Sequence, residues 1–198
     1  MRRSSSVRSI AWGIASAGLL SACGYRFTAG GGELPGRART IFVPLFANQT
    51  AEPEVDAYFT SALRQELARA GREGGDASDA RAAGIVTQVL NEAAIQTTFP
   101  VKDGVAQVSR VSAYRVRAAA LVRVFRGTEK LGETAVNGSE EYAPGVDCAV
   151  PPIDGGTTPY SSANAGCVLE LEANRRVALR RLAMALMRRA YENLTSGF

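Results

Sequence analysis

Apolar residues recur along this chain in two periods, and the switches between them mark out its elements. Val55, Phe59, Ala62, Leu63, Leu67 and Ala70 follow the three-to-four spacing of one helix face, which leaves Arg64, Glu66 and Arg69 outward. Thr50 or an acid between Glu52 and Asp56 is placed to cap that helix, Pro53 lies at an early position where a missing N–H costs little, and Gly71 stops it. A second stripe, Leu171, Ala178, Leu179, Leu182, Leu186 and Ala190, predicts a helix over 169–193, with Arg175, Arg176, Arg180, Arg181, Arg188 and Arg189 elsewhere on its surface. Between them the period falls to two. Ile85, Thr87, Val89, Ala93, Ile95 and Phe99 share one parity, and Tyr114, Val116, Ala118, Ala120, Val122 and Val124 alternate with Arg115, Arg117 and Arg123. Asp103-Gly104 predicts a hairpin between these two strands, and 126–130 a second hairpin leading to a strand over 131–142. A β-rich run over 38–46 precedes the first helix, and Pro44 within it marks an edge position or the end of the strand. The order is β-α-β-β-β-α. It predicts an α+β fold, a two-layer sandwich with two helices on one face of a roughly four-stranded mixed sheet.

The first 22 residues obey neither period. Arg2, Arg3 and Arg8 precede an apolar run from Ile10 to Leu20, then Leu20-Ser21-Ala22-Cys23. A charged start, an apolar run too short to span a bilayer and small residues before a cleavage point form an export signal. With cysteine next, the segment resembles a lipoprotein lipobox. Cys23 is then the lipidated first residue of the mature chain, residues 23–37 a tether and 38–198 a single domain. Several acyl chains on one residue supply the stable anchoring that one chain cannot. Gly24 is not the aspartate that favours inner-membrane retention in enteric bacteria, so the expected address is the periplasmic face of the outer membrane. Removing residues 1–22 takes away three arginines and no acids, lowering the formal charge from +4 to +1. That near-neutral balance is no signal for a nucleic-acid partner.

With Cys23 assigned to lipid, Cys148 and Cys167 remain as a pair in an oxidising compartment, where a disulfide is the simplest expectation. They bracket a Pro-, Gly-, Ser- and Thr-rich segment, read as a loop over 148–167 that is either a partner-contacting loop or an insertion. The chain has no histidine, no Cys-x-x-Cys and no phosphate-binding glycine loop at Gly30-Gly31-Gly32. Glu140 and Glu141 are adjacent on a strand and point to opposite faces, so they do not converge on one substrate. The expectation is therefore no enzyme, no metal and no cofactor. A two-layer sandwich leaves one sheet face open. Its apolar parity must go to the helices, so Arg115, Arg117 and Arg123 fall on the open side. With Lys102 at one hairpin and Arg126 and Lys130 at the other, that side is a candidate basic patch for phosphate groups, or simply a solvated strand face.

Cys23-Gly24-Tyr25-Arg26-Phe27, Leu34-Pro35, the run Ile41-Phe42-Val43-Pro44-Leu45-Phe46-Ala47-Asn48-Gln49-Thr50 and Glu52-Pro53 before a helix resemble the start of the LptE family of lipopolysaccharide-assembly lipoproteins. The resemblance is best over residues 23–71 and rests on element order beyond them. It implies an α/β sandwich that plugs and helps assemble the LptD outer-membrane β-barrel and binds lipopolysaccharide during its insertion into the outer leaflet. It also implies a basic residue in the hairpin between the second and third strands, where Lys102 lies. The same opening resembles other periplasmic lipoprotein adaptors, such as cell-wall synthase activators and secretion lipoproteins, which form the alternative.

Overall fold

The structure is a computed structural model that describes residues 32–100, 107–144 and 163–196. Five strands, β1 (Ile41–Phe42), β2 (Ala47–Asn48), β3 (Ala80–Pro100), β4 (Gln107–Arg126) and β5 (Glu129–Tyr142), form one sheet with two helices, α1 (Val55–Arg69) and α2 (Ala163–Ser196). The sheet order is β1-β3-β4-β5, with β2 also running along β3. β1 and β2 pair with β3 in parallel, whereas β3, β4 and β5 are successively antiparallel. The expected α+β class and mixed sheet are what is found.

The expected first strand is broken at Pro44, whose missing N–H cannot continue a ladder. The break is held by α1. Val43 is buried, and its carbonyl accepts both Nε and Nη2 of Arg64 at 2.9 and 2.6 Å. The Phe46 amide donates to Thr60 Oγ1 at 2.9 Å, so a helix hydroxyl replaces the strand partner that the amide would otherwise lack. Phe46 then lies flat over Gly84 of β3, where a Cβ would stand 2.2 Å from the ring.

β3 departs from the single parity expected of it. Its register with β4 shifts between Val86 and Gln88, so one extra residue, Thr87, kinks the ladder as a bulge. Ala82, Gly84 and Val86 face the helices before the bulge, and Val89, opposite Ala118, faces them after it. Ile85 therefore sits on the open side with Thr87, and Ile95 is half exposed.

The start of α1 also differs from expectation. Its N-cap is Glu54 at φ 63°, with no side-chain cap. Thr50 instead closes the preceding loop, its amide donating to Asn48 Oδ1 and its Oγ1 accepting from the Glu52 amide. Gly71 ends the helix as expected, at φ 65°, with the Arg72 amide reaching back to the Leu67 carbonyl at 2.8 Å. Glu66, expected outward, keeps only 11 % of its side chain exposed because it faces α2.

α2 begins earlier than its apolar stripe suggests, so residues 163–167, expected within a loop, are its first turns. Leu179, Leu182, Ala183, Leu186, Met187 and Ala190 are buried against the sheet and α1, each large side chain contributing about 1.5–3 kcal/mol. The end of the expected tether also belongs to the core. Leu34 is 1 % exposed, and Gly36 turns at φ 62° against Leu131.

The packing of Phe46 on Gly84 sets a stability test. Gly84→Ala must displace a buried ring and is expected to destabilise by about 1–3 kcal/mol, whereas Gly75→Ala, with open space around it, is expected to change little. Urea denaturation of both variants measures the difference.

Candidate functional site

β4 is the middle strand of the antiparallel part of the sheet, and its alternation is sharp. Val116, Ala118, Ala120, Val122 and Val124 are all buried, which sends Arg115, Arg117 and Arg123 to the open side as the sequence predicts. What the sequence reading did not count is the neighbours on that side. Arg115 stands opposite Glu141 of β5 and Glu92 of β3, and Arg123 opposite Glu133. Arg115 contacts Glu141 at 2.5 Å and Glu92 at 3.7 Å, Arg117 contacts Glu92 at 2.9 Å, and Arg123 contacts Glu133 at 2.6 Å. Lys130 lies 3.6 Å from the same Glu133. Arg126 is drawn elsewhere, donating from Nη2 to the Gly36 carbonyl at 2.9 Å.

These contacts perturb the groups in a consistent direction. The hydrogen bond and charge of Glu141 raise the Arg115 guanidinium, and the Arg123 hydrogen bond holds Glu133 below the usual carboxylate range. The open face therefore sets these cations against Glu92, Glu133 and Glu141, which offset most of their charge. Arg115, Arg117, Arg123 and Lys130 are on one face, and Arg123 and Lys130 share Glu133. Cys23, Lys102 and Cys148 lie outside the described residues. Cys167 is disulfide-bonded in the first turns of α2, and its pairing with Cys148 stands as a proposal.

A second cluster joins α2 to the loop before α1. Arg175 binds Glu52 through both Nη atoms at 2.5 and 2.9 Å, and Glu172 through Nε and Nη2 at 2.8 and 2.9 Å. Arg175 and Glu52 keep only 17 % and 16 % of their side chains exposed. Two carboxylates on one guanidinium raise Arg175, and Arg175 first, then Arg176, lowers Glu172. Beside it the Tyr142 hydroxyl donates to Asn91 Oδ1 at 2.8 Å, and its ring stacks on Tyr114 with centroids 5.7 Å apart. Burial pushes the Tyr142 phenol up. The spacing of Glu172, Arg175 and Arg176 was a readable signal for the helix part of this cluster. Nothing in the sequence points to Glu52 as the third member.

Chemically, both clusters bind and position. Glu92, Glu133, Glu141, Glu52 and Glu172 are all engaged by arginine. Among the described residues no group of three or more His, Cys, Asp and Glu could hold a metal ion.

Comparison with known proteins comes from three directions. A family model described as LptE, lipopolysaccharide-assembly, matches residues 38–194. No curated protein matches the chain. Solved structures to which the chain is similar include one from Caulobacter crescentus CB15, 14% identical with TM-score 0.44, covering 76% of this chain and 88% of that one. The PelC dodecamer from Paraburkholderia phytofirmans is 14% identical with TM-score 0.43, covering 84% and 92%. The rare lipoprotein B from Shewanella oneidensis is 12% identical with TM-score 0.40, covering 78% and 94%.

The Arg175 cluster makes a pH prediction. Glu172 is depressed in the folded state, so its contribution is present above the unfolded carboxylate value near 4.3 and is lost as pH falls through the folded one. Melting temperature followed by circular dichroism is expected to drop more between pH 7 and pH 3.5 in the native chain than in Glu172→Gln.

Proposed function

The chain belongs to the LptE lipopolysaccharide-assembly family, and from that premise we propose that it is an outer-membrane lipoprotein that plugs and helps assemble the LptD barrel and binds lipopolysaccharide as it enters the outer leaflet. The observation that carries this reading is the family match across almost the whole folded domain, residues 38–194. In this reading Cys23 carries the lipid, the domain hangs at the inner leaflet, and its polar surface fills the barrel lumen. The open sheet face supports it. Alternating arginine and glutamate keep that face hydrated and close to neutral, which suits a water-filled lumen wall and not a lipid contact. Among the described residues no helix is long and apolar enough to cross a membrane.

Lipopolysaccharide carries phosphates, which arginine and lysine bind by charge-assisted hydrogen bonds. Arg115, Arg117, Arg123 and Lys130 bind such a phosphate in competition with Glu141, Glu92 and Glu133, and Arg126 with donors beyond the one held by the Gly36 carbonyl. Lys102, in the hairpin between β3 and β4, is proposed as the leading contact, with these residues of the open face as secondary ones. No enzymatic step is assigned.

Two measurements test the reading. Purification of the membrane-anchored chain is expected to retain a large outer-membrane β-barrel, and recovery of a cell-wall synthase in its place would reject it. Lys102→Glu is expected to weaken lipopolysaccharide binding several-fold at unchanged melting temperature, and Arg117→Gln to weaken it less. Equal binding by Lys102→Glu and the native chain removes Lys102 from the site.

A further inference from the structure

The sheet narrows before its longest strands end. β5 flanks β4 as far as the pair Tyr114 and Tyr142, and β2 runs along β3 only to the pair Asn48 and Val86. Past Tyr114, among the described residues, β3 and β4 continue as a two-stranded ribbon to the pair Pro100 and Gln107. Ala93, Ile95, Gln96, Val111, Ser112 and Ala113 all keep solvent exposure there, whereas Val116 is fully buried. A ribbon of two strands with no core beneath it is marginally stable by itself.

The ladder is interrupted where this narrowing occurs. Ala93 pairs with Tyr114, Ile95 with Ala113, and Gln96 with Val111. Ala94 is thus an extra residue on β3 and Ser112 an extra residue on β4, two bulges on opposite strands a single pair apart. Each leaves a residue out of the ladder and bends its strand. Together they cancel, because from Gln96 and Val111 outward the strands resume, in regular pairs, the offset they had at Ala93 and Tyr114. Neither bulge is therefore needed to set the register of the ribbon, and what the pair contributes is a local break. A side-chain bond crosses it, Ser112 Oγ donating to the Ile95 carbonyl at a long 3.4 Å.

The rim directly below is clamped. Tyr114 stacks on Tyr142, whose hydroxyl donates to Asn91 Oδ1 at 2.8 Å, and Arg115 bridges Glu92 of β3 and Glu141 of β5. These contacts tie three strands together next to the bulges. We propose that the paired bulge at Ala94 and Ser112 is a hinge, about which the ribbon of residues 95–100 and 107–113 swings against the clamped sandwich as one piece. A hinge needs only a few residues that absorb the backbone change between two firmer bodies, and the regular part of the ribbon is about 17 Å long, so a small change of angle becomes a larger displacement at its outer end. The inference rests on the functional reading above in one respect, that the hairpin so moved holds Lys102 and the joint lets that residue travel to its ligand.

The test uses the full chain purified in detergent. Spin labels are placed at Thr98 and Ala135 in one sample, and at Thr98 and Ser109, opposite one another in the ladder, in a second. The expected result is a broad distribution of distances from ribbon to sandwich and a narrow one across the ribbon. Deleting Ala94 and Ser112 together joins the two regular stretches without changing their offset. That variant is expected to narrow the first distribution to the width of the second and to slow amide exchange over residues 95–99 about tenfold. A narrow ribbon-to-sandwich distribution in the native chain, or a broad one that the double deletion leaves unchanged, overturns the hinge. A broad distribution across the ribbon also overturns it, since that is fraying and not a swing. The native-chain distances alone decide if the deletion variant does not fold. None of these readouts involves lipopolysaccharide, so the hinge can fail while the Lys102 reading stands, and the reverse.

Discussion

The structure depends on the two-sidedness of β4. Successive side chains of a strand point to opposite faces, and from Val116 to Val124 this strand commits every second residue to burial. Because β3 and β5 are paired to either side of it, it sets the level of the whole sheet. Both helices must then lie on one side, and Arg115, Arg117 and Arg123 must lie on the other. A shift of one residue would bury three guanidinium groups, which no packing gain could offset.

The two outer surfaces that result both carry arginines, which differ in how fully they are paired. On the sheet, neighbouring strands bring Glu92, Glu133 and Glu141 beside the arginines, and most of the charge on that face is offset. On α2, Glu172 pairs with Arg176 and the Asn137 carbonyl of β5 accepts from Arg189, while Arg180 stacks on Tyr58. Arg175 is the most fully enclosed of the α2 arginines. It faces the α1 side of the helix, where Glu52 and Glu172 enclose it. Position relative to a neighbouring element, not residue type, decides how fully each arginine is paired.

Around this frame the irregular segments are held by side chains and not by ladders. Pro44 interrupts the edge strand, and Arg64 and Thr60 of α1 satisfy the backbone groups on either side of the break. Leu34 and Gly36 tuck the chain before β1 against β5, so the segment that leads toward Cys23 starts from a fixed point of the domain. Gly84 is needed there for a different reason, since only a residue without a Cβ lets the Phe46 ring seat on β3.

Both helices, the stop at Gly71, the parity of β4 and the turn at Gly127 were legible in the sequence, because each follows from local stereochemistry and a period that a few residues reveal. The residues resembling the LptE family added the expected function, which the family match supports at the level of membership. The bulge at Thr87 was not legible, since Ile85 and Val86 are both apolar and either parity could have been the buried one. The pairing of Arg115 with Glu141, of Arg117 with Glu92 and of Arg175 with Glu52 was not legible either. Those contacts join residues up to 123 positions apart, and only the register of the strands and the seating of α2 bring them together. Sequence by itself determined which side of each element is apolar, because that is a property of a few adjacent residues. Tertiary structure decided which charges are spent on one another and which remain to meet a partner, because charge compensation depends on distance in space.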